Sequence, residues 1–392
     1  MSIADNIKSF MGKSSLIREM FEKGTTLKAK YGVDNVYDFS IGNPNLPPPQ
    51  EFTQQLMQSS GELEPGIHGY MPNAGYPKTK QAVAEFVSRN HHINLTGDEI
   101  IMTCGAAGAL NVIFRSVLNP GDEVLVPAPY FVEYDFYAAN AGGVLKTVAT
   151  QPDFHLDLDA ITESITPRTK VVLINSPNNP TGQLYPAESL AHLGELLREA
   201  SERHGHVIYL VSDEPYRRIV YDGVQVPSIL EYYNESIVVT SFSKDLSIPG
   251  ERIGYLAVHP AATDKSDLLN AMTLTNRTLG FVNAPALMQR VVPKVLDASV
   301  DMTVYTKNRS LLVENLDSYG YKFITPPGTF YLFPQSPIKD DMAFVAALQE
   351  ERIITVPGSA FGGPGFFRIA FCVSQKTVEN ALPGFERAIK RF

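Results

Sequence analysis

Strands and helices alternate along the middle of the chain, and this alternation limits the possible folds more than any other feature. Apolar runs rich in β-branched residues predict strands at 100–102, 123–126, 144–148, 170–174, 207–211, 237–240 and 253–258. Helical patterns precede or separate several of them, at 77–89, from about 105, and near 131–141, 186–204 and 260–275. Such alternation is typical of a largely parallel sheet covered by helices on both faces. We therefore predict an α/β fold whose ligands bind where the strands end.

Both ends of the chain differ from this middle part. A helix is predicted from Ser14 to Lys30, followed by the proline-rich run Asn43–Pro49, which we interpret as an extended crossing between two domains. We expect a large domain at 46–285, a smaller α+β domain at 286–392, and an N-terminal segment, residues 1–45, that belongs to the small domain.

Within the small domain, one long helix is predicted from Ala286 to about Leu316, bent near Pro293. A helix at 340–351 and strands at Ile353–Val356 and Phe367–Cys372 follow it.

Composition excludes several classes of protein. The 392 residues carry a formal charge of -9, which argues against nucleic acid or an anionic membrane as the main partner. Two cysteines suggest neither a disulfide framework nor a metal site, and the histidine pairs at 91–92 and 204/206 fall where helices should end, which favours capping or surface roles over metal ligation. With no apolar leader and no segment of transmembrane length, we expect a cytoplasmic protein.

The stretch from Thr240 to Gly254 could hold a phosphate beside an amine. Lys244 follows an apolar strand, with Ser241, Ser243 and Arg252 close to it in sequence. Lysine condenses with an aldehyde, the bond by which pyridoxal phosphate (PLP) enzymes hold their cofactor, and an arginine with two hydroxyls can bind its phosphate. Taken alone, the same stretch is also explained as a polar turn with a solvated lysine.

Other strand ends supply matching groups. Asp213 follows a buried strand and could pair with a protonated pyridine nitrogen, although a carboxylate capping a turn is an alternative. Tyr216 and Asn179 could donate to a ring hydroxylate. The backbone amides of Ala106 and Ala107 open a helix and offer a second phosphate contact.

Two further residues complete the predicted site. Phe131 could stack on a flat ring, although aromatic residues are more often part of a core. Arg368 lies in the middle of an apolar strand with no acidic residue near it in sequence. A buried guanidinium needs a negative partner, which is either a distant carboxylate or the α-carboxylate of a substrate.

Together these residues resemble the class I and II aminotransferases, the fold-type I PLP enzymes. The resemblance extends from Gly42-Asn43-Pro44 to Arg368 and depends on the order and separation of Asn179, Asp213, Tyr216, Lys244, Arg252 and Arg368. It implies a seven-stranded, mostly parallel sheet and a homodimer whose active sites lie at the subunit boundary.

The resemblance also implies roles for particular residues. Tyr70 would reach the phosphate of the neighbouring subunit, Gly42 would lie near the substrate carboxylate, and Arg368 would bind that carboxylate. A second arginine, used by some members for dicarboxylic substrates, cannot be placed. Its candidates are Arg277, Arg217 and Arg218, and the segment 281–283 expected at the dimer boundary is rather apolar for that role.

Three functions remain open at this level. The first is an aminotransferase acting on an L-amino acid (aspartate, alanine or aromatic) and a 2-oxo acid, with glutamate and 2-oxoglutarate as the expected second pair. The second is a PLP-dependent lyase that eliminates sulfur from an amino acid, because the same cofactor residues serve both reactions. The third is a non-catalytic, aminotransferase-like regulator, disfavoured by the acidic balance and by the short sequence before the first site motif.

Overall fold

The structure is a computed structural model that describes residues 3–13 and 16–392. Its helices are α1 (Asp5–Lys13), α2 (Leu16–Tyr31), α3 (Gln50–Ser60), α4 (Pro77–His91), α5 (Gly105–Val117), α6 (Glu133–Asn140), α7 (Leu158–Ser164), α8 (Ala187–His204), α9 (Lys265–Thr278), α10 (Ala286–Val291), α11 (Thr303–Ser318), α12 (Asp341–Glu350) and α13 (Gln375–Ile389). Its strands are β1 (Tyr37–Asp38), β2 (Ile100–Thr103), β3 (Glu123–Ala128), β4 (Val144–Ala149), β5 (Thr169–Asn175), β6 (Tyr209–Asp213), β7 (Ser236–Ser241), β8 (Gly254–Val258), β9 (Tyr331–Leu332), β10 (Ile353–Ile354), β11 (Val356–Pro357) and β12 (Phe367–Ala370). No helix in these two ranges has the length and apolar character needed to cross a membrane.

One large sheet organises the middle of the chain. Its strand order is β2-β8-β7-β6-β5-β3-β4. Neighbours pair in parallel except at β8, which runs antiparallel to both β2 and β7. The predicted α/β fold with a mostly parallel, seven-stranded sheet is therefore confirmed, and each strand lies within two residues of its predicted bounds.

Both faces of this sheet are buried, and β5 shows how. Val171 and Leu173 pack in a core shared with α5 and α9, called here the α5–α9 core. Val172 and Ile174 pack in a core shared with α4 and α8, the α4–α8 core. Successive side chains of a strand point to opposite faces, so an unbroken apolar run is what a strand covered on both sides requires. Burying each such side chain contributes roughly 1.5–3 kcal/mol.

A third core joins the two ends of the chain. Strands β11, β12 and β9 form an antiparallel sheet in that order, and β1 pairs in parallel with β10. Met20 and Phe39 pack with Phe344 and Phe385 in what we call the C-terminal core, where the rings of Phe39 and Phe385 lie 5.9 Å apart. Residues that precede the large sheet in the sequence and residues that follow it thus meet in one apolar cluster.

The prediction of one long helix from Ala286 to Leu316 is wrong. Helix α10 ends at Val291, a single 3₁₀ turn containing Pro293 follows, and α11 begins only at Thr303. Proline cannot donate the hydrogen bond that a continuing helix needs. The two helices also belong to different cores, because Val291 packs in the α4–α8 core and Leu312 in the C-terminal core. The chain must therefore leave the helical path to pass from one core to the other.

Other local predictions were corrected or incomplete. The helix predicted from Ser14 is α2, which begins at Leu16, while Ser14 and Ser15 lie outside the described residues. Helices α1, α3, α7 and α13 were not predicted. His91 does end a helix, but it is buried rather than at the surface, and its Nδ1 lies 2.8 Å from Ser228 Oγ.

Candidate active site

A cavity of about 550 Å³ lies at the ends of the parallel strands, on the side of the sheet where α5 begins. Its walls combine the loops after β5, β6 and β7 with the N-termini of α5 and α6, Arg368 of β12 and the segment after β1. Every predicted site residue except Tyr70 lines it: Gly42, Ala106, Ala107, Phe131, Asn179, Asp213, Tyr216, Ser241, Ser243, Lys244, Arg252 and Arg368. The fold therefore brings together in space residues more than 300 positions apart in sequence.

Lys244 presents a buried amine to this cavity. Its Nζ donates a hydrogen bond to the carbonyl oxygen of Gly42 at 2.7 Å. Burial lowers the pKa of Lys244 to about 8, and the nearby guanidinium groups of Arg368 and Arg252 act in the same direction. A lysine in this state loses its proton far more readily than one in water, which is what a nucleophilic or basic amine requires.

The loop at Gly42 has room for no larger residue. A Cβ at this position would collide with the phenol of Tyr331, which lines the same cavity. Glycine therefore allows the chain after β1 to approach Lys244 closely enough for its carbonyl to accept the bond from the amine.

Asp213 ends β6 and has one carboxylate oxygen without a partner. Its Oδ2 accepts a hydrogen bond from the phenol of Tyr134 at 2.7 Å, whereas Oδ1 is buried and accepts none from the described residues. Burial raises the pKa of Asp213 to about 7, although the Tyr134 bond works against that rise. An unpaired buried acceptor is costly unless a ligand completes it, so Asp213 is suited to a cationic N–H donor.

Arg368 is buried with no acidic partner among the described residues. Its Nη1 donates to Asn179 Oδ1 at 3.0 Å and its Nη2 to the carbonyl of Ser40 at 2.6 Å, while Nε has no acceptor. The guanidinium carbon lies 4.5 Å from the ring centroid of Tyr331 and 4.6 Å from that of Phe361. Of the two explanations open from the sequence, a distant carboxylate of this chain is not found in the described part.

The part of the cavity lined by the start of α5 is suited to a phosphate. Gly105 opens α5 with a φ of +72°, and a Cβ there would press against the guanidinium of Arg252. The hydroxyls of Ser241 and Ser243 have no hydrogen-bond partner in the described part of the chain, and Arg252 Nη1 donates to the carbonyl of Pro249 at 2.8 Å. A helix N-terminus, two hydroxyls and a guanidinium are donors of the kind that bind an anion.

Sequence reasoning missed several residues that shape the site. Asn175 ends β5, donates to the carbonyl of Asp213 at 2.7 Å and accepts from the amide of Asn179 at 2.7 Å. Its position, a polar residue ending an apolar strand, is the same signal that identified Asp213. Tyr134, and Tyr331 whose hydroxyl lies 3.0 Å from that of Tyr216, carry no such signal because they resemble core aromatic residues.

Four other residues named from the sequence lie away from the cavity. Tyr70 is 94% exposed, so its predicted contact with a neighbouring subunit stays a prediction. Arg217 pairs with Glu214, and Arg218 donates to the carbonyls of Leu296 and Ala298. Arg277 is exposed on α9. None of these three arginines lines the cavity of its own chain.

Comparisons with known proteins agree with the site. The family described as aminotransferase class I and II matches residues 34–385, which confirms the resemblance over almost the whole chain. The aspartate/prephenate aminotransferase of Thermus thermophilus is 34% identical over 371 residues, covering 92% of this chain and 93% of the relative. The probable aspartate aminotransferase of Methanocaldococcus jannaschii is 31% identical over 377 residues, covering 94% and 96%.

Solved structures show the same likeness. An aminotransferase from Eubacterium rectale matches with a TM-score of 0.97 and 39% identity, over 100% of this chain and 99% of that one. The aspartate aminotransferase of Thermus thermophilus, solved with maleate, matches with a TM-score of 0.87 and 28% identity, over 99% of this chain and all of that one.

Proposed function

The chain belongs to the class I and II aminotransferase family, whose enzymes depend on PLP, and we propose that Lys244 is the residue by which this aminotransferase holds and uses its cofactor. One observation carries the proposal. A single cavity combines the buried amine of Lys244, the unpaired Oδ1 of Asp213 and the uncompensated guanidinium of Arg368. Each of these groups lacks a partner that one part of PLP or of an amino acid would supply.

The phosphate of PLP fits the end of the cavity formed by α5. The backbone amides of Ala106 and Ala107, the hydroxyls of Ser241 and Ser243, and the guanidinium of Arg252 would hold it. The positive φ of Gly105 and the closeness of Arg252 to that residue support this assignment, because they keep the helix start and the guanidinium together.

The pyridine ring fits the middle of the cavity. Asp213 would accept from the ring nitrogen through Oδ1, and the negative charge of Asp213 would keep that nitrogen protonated. Asn179 and Tyr216 would bind the ring oxygen, and Phe131 would cover one face of the ring. PLP, when bound, supplies an electron sink for the bond that breaks at the substrate Cα.

Lys244 then has a second task, as a proton carrier. With its pKa lowered to about 8, a substantial fraction of the amine is neutral in mildly alkaline solution, so its Nζ can accept the proton that leaves the substrate Cα and later return one. Arg368 would orient the substrate by binding its α-carboxylate, and Asn179 and Ser40 hold the guanidinium in place for that purpose.

The substrates are an L-amino acid and a 2-oxo acid. The names of the relatives favour aspartate as amino donor, while the aromatic residues lining the cavity also fit alanine or an aromatic amino acid. Glutamate and 2-oxoglutarate would form the second pair.

The assembly is also part of the proposal. Residues 46–285 would form the large domain, and 286–392 together with 1–45 the small one, in a homodimer with shared active sites. The core that joins both ends of the chain supports the assignment of the N-terminal segment, whereas the packing of α10 against the large sheet favours a boundary somewhat after residue 285. The exposure of Tyr70 supports its contact with a partner subunit.

Visible absorption of the protein reconstituted with PLP tests this function. L-aspartate, L-alanine, L-phenylalanine and L-glutamate are added separately, and at least one should bleach the band of the bound cofactor, which a 2-oxo acid should restore. The Lys244→Ala variant should lose turnover by at least about a thousandfold while keeping its fold. Normal turnover in that variant, or release of pyruvate and ammonia with no need for an oxo acid, would contradict the proposal.

A further inference from the structure

One charged side chain in the cavity has no place in the roles above. The charged residues that line the cavity are Glu133, Asp213, Lys244, Arg252 and Arg368. Under the proposed function, on which this inference rests, the last four serve the ring nitrogen, the Cα proton, the phosphate and the α-carboxylate. Glu133 has none of these roles.

Glu133 is the first residue of α6 and is partly buried in the cavity wall. No hydrogen bond or ion pair from the described residues reaches its carboxylate. Burial raises the pKa of Glu133, and no nearby cation opposes that rise. A carboxylate that is partly removed from water and has no cation beside it lowers the stability of the protein. This cost points to a role for Glu133 toward the substrate.

The described cations that line the cavity are Lys244, Arg252 and Arg368, and each already has a role under the proposed function. The uncharged part of the cavity lining includes apolar and aromatic side chains, among them Phe21, Leu110, Phe131 and Tyr137. A substrate with a carboxylate on its side chain would therefore share the cavity with Glu133, and the described residues that line it offer no further cation. An aliphatic or aromatic side chain would meet surfaces that suit it.

We infer that Glu133 is a specificity-determining residue that disfavours dicarboxylic amino acids and oxo acids and leaves the cavity selective for monocarboxylic ones, such as alanine and aromatic amino acids. Specificity often needs such a repulsive element besides the attractive contacts. The inference narrows the donors named above, because it makes aspartate a poor donor. It also departs from the second pair proposed above, because it makes glutamate and 2-oxoglutarate poor substrates as well.

A purely structural role for Glu133 makes a different prediction. An acidic residue in the first turn of a helix interacts favourably with the helix dipole. If that were its whole role, replacing it would weaken folding slightly and change the rates with all substrates by the same factor. The ratio of rates between two substrates separates the two roles.

The experiment compares four PLP-loaded proteins: wild type, Glu133→Gln, Glu133→Asp and Glu195→Gln. Glu195 lies exposed on α8, so its variant removes one carboxylate far from the cavity. The measured quantity is kcat/KM for L-aspartate divided by kcat/KM for L-phenylalanine. Glu133→Gln should raise this ratio about tenfold, as expected from relief of one like-charge repulsion inside a cavity, while Glu133→Asp and Glu195→Gln leave it near the wild-type value.

Calorimetric binding of maleate and of 3-phenylpropionate gives a second readout that needs no turnover. Glu133→Gln should bind maleate about tenfold more tightly than wild type does, with 3-phenylpropionate unchanged. Equal ratios in Glu133→Gln and wild type, or a wild type that prefers L-aspartate to both L-alanine and L-phenylalanine, would overturn the inference. If wild type reacts with no amino acid, the proposed function fails, and unchanged maleate affinity in Glu133→Gln then overturns the role of Glu133 separately.

Discussion

Two groups of buried charges lie on either side of the same strand ends. The protein pairs the charges of one group and leaves those of the other incomplete. Asp213 and Lys244 face the cavity. Their immediate neighbours Glu214 and Asp245 face a small polar cluster behind it. In the cavity Asp213 Oδ1 accepts no hydrogen bond from the residues that the structure describes. In the cluster Glu214 accepts from Ser212 Oγ at 2.8 Å and from Arg217 Nη1 at 3.0 Å.

The cluster is satisfied by the protein itself. Arg217 also donates to the carbonyls of Val226, Pro227 and Asn90, and Arg218 lies 3.5 Å from Asp245. Burial raises the pKa of Asp245 to about 6, which the Arg218 charge opposes. Charges that stabilise a fold are thus paired inside it, whereas those that serve a ligand are left incomplete, at a cost in stability that the ligand offsets.

Replacing the adjacent acids Asp213 and Glu214 one at a time tests this comparison most directly. Asp213→Asn should lower kcat/KM by roughly a hundredfold or more, because a neutral amide cannot stabilise a cationic ring nitrogen. Glu214→Gln should leave activity per folded molecule within a few-fold but lower the free energy of unfolding by about 1–3 kcal/mol, because it weakens a buried charged network. Turnover by each variant and its denaturant midpoint give both numbers.

The opposite pattern would show that the comparison is mistaken. That pattern is a strong loss of stability in Asp213→Asn together with a strong loss of turnover in a stable Glu214→Gln. Because the two substitutions are isosteric, differ by one position and each remove one formal charge, each variant is the matched control of the other.

The side on which each acid lies could in principle be read from the sequence. Val211 packs in the α5–α9 core and Leu210 in the α4–α8 core, so Asp213, two positions after Val211, continues toward the side where α5 begins. The strands themselves were predictable because unbroken β-branched runs have few alternatives. Polar residues at their ends then indicated the site.

What could not be predicted depends on partners distant in sequence. Tyr134 lies in a short helix with weak periodicity, and its role follows only from its bond to Asp213, 79 positions away. The break after Val291 depends on which of two cores each helix joins. In the sequence Glu133 is an ordinary acidic residue in the first turn of a helix. Only the fold shows that it lines the cavity.

Asp213, the acid that faces the cavity, should make the stability of the protein depend on pH. In protein without added cofactor, Asp213 has a folded pKa of about 7, mainly because of burial, against about 3.9 for an unperturbed Asp. A raised pKa means that the folded state binds the proton more tightly, so this stabilising contribution is full below about pH 4 and is lost as pH rises through about 7. Asp213→Asn should therefore gain stability relative to wild type across that window, by a few kcal/mol at most.

Denaturant unfolding at a series of pH values between 4 and 8 measures this difference. Asp245 titrates in both proteins, so its contribution largely cancels in the comparison. Burial lowers the pKa of Lys244 and the charge of Asp213 raises it, so the measured difference includes the response of Lys244 as well. Asp317→Asn provides the control, because it removes one exposed carboxylate at the end of α11 that does not line the cavity. A flat difference for Asp213→Asn would mean that its carboxylate is already stabilised in the folded protein.

The smallest expected effect is at Tyr134, whose phenol is the only described side chain that donates to Asp213. Tyr134→Phe should cost about 1 kcal/mol of stability and lower kcat/KM between a few-fold and about tenfold, because the carboxylate loses a donor that favours its charged form. Tyr137→Phe, in the same helix and lining the same cavity, should change little. In the Asp213→Asn background Tyr134→Phe should have no further effect on kcat/KM, because its influence on the reaction passes through that carboxylate. An additive loss in the double variant would assign Tyr134 a contact of its own with cofactor or substrate.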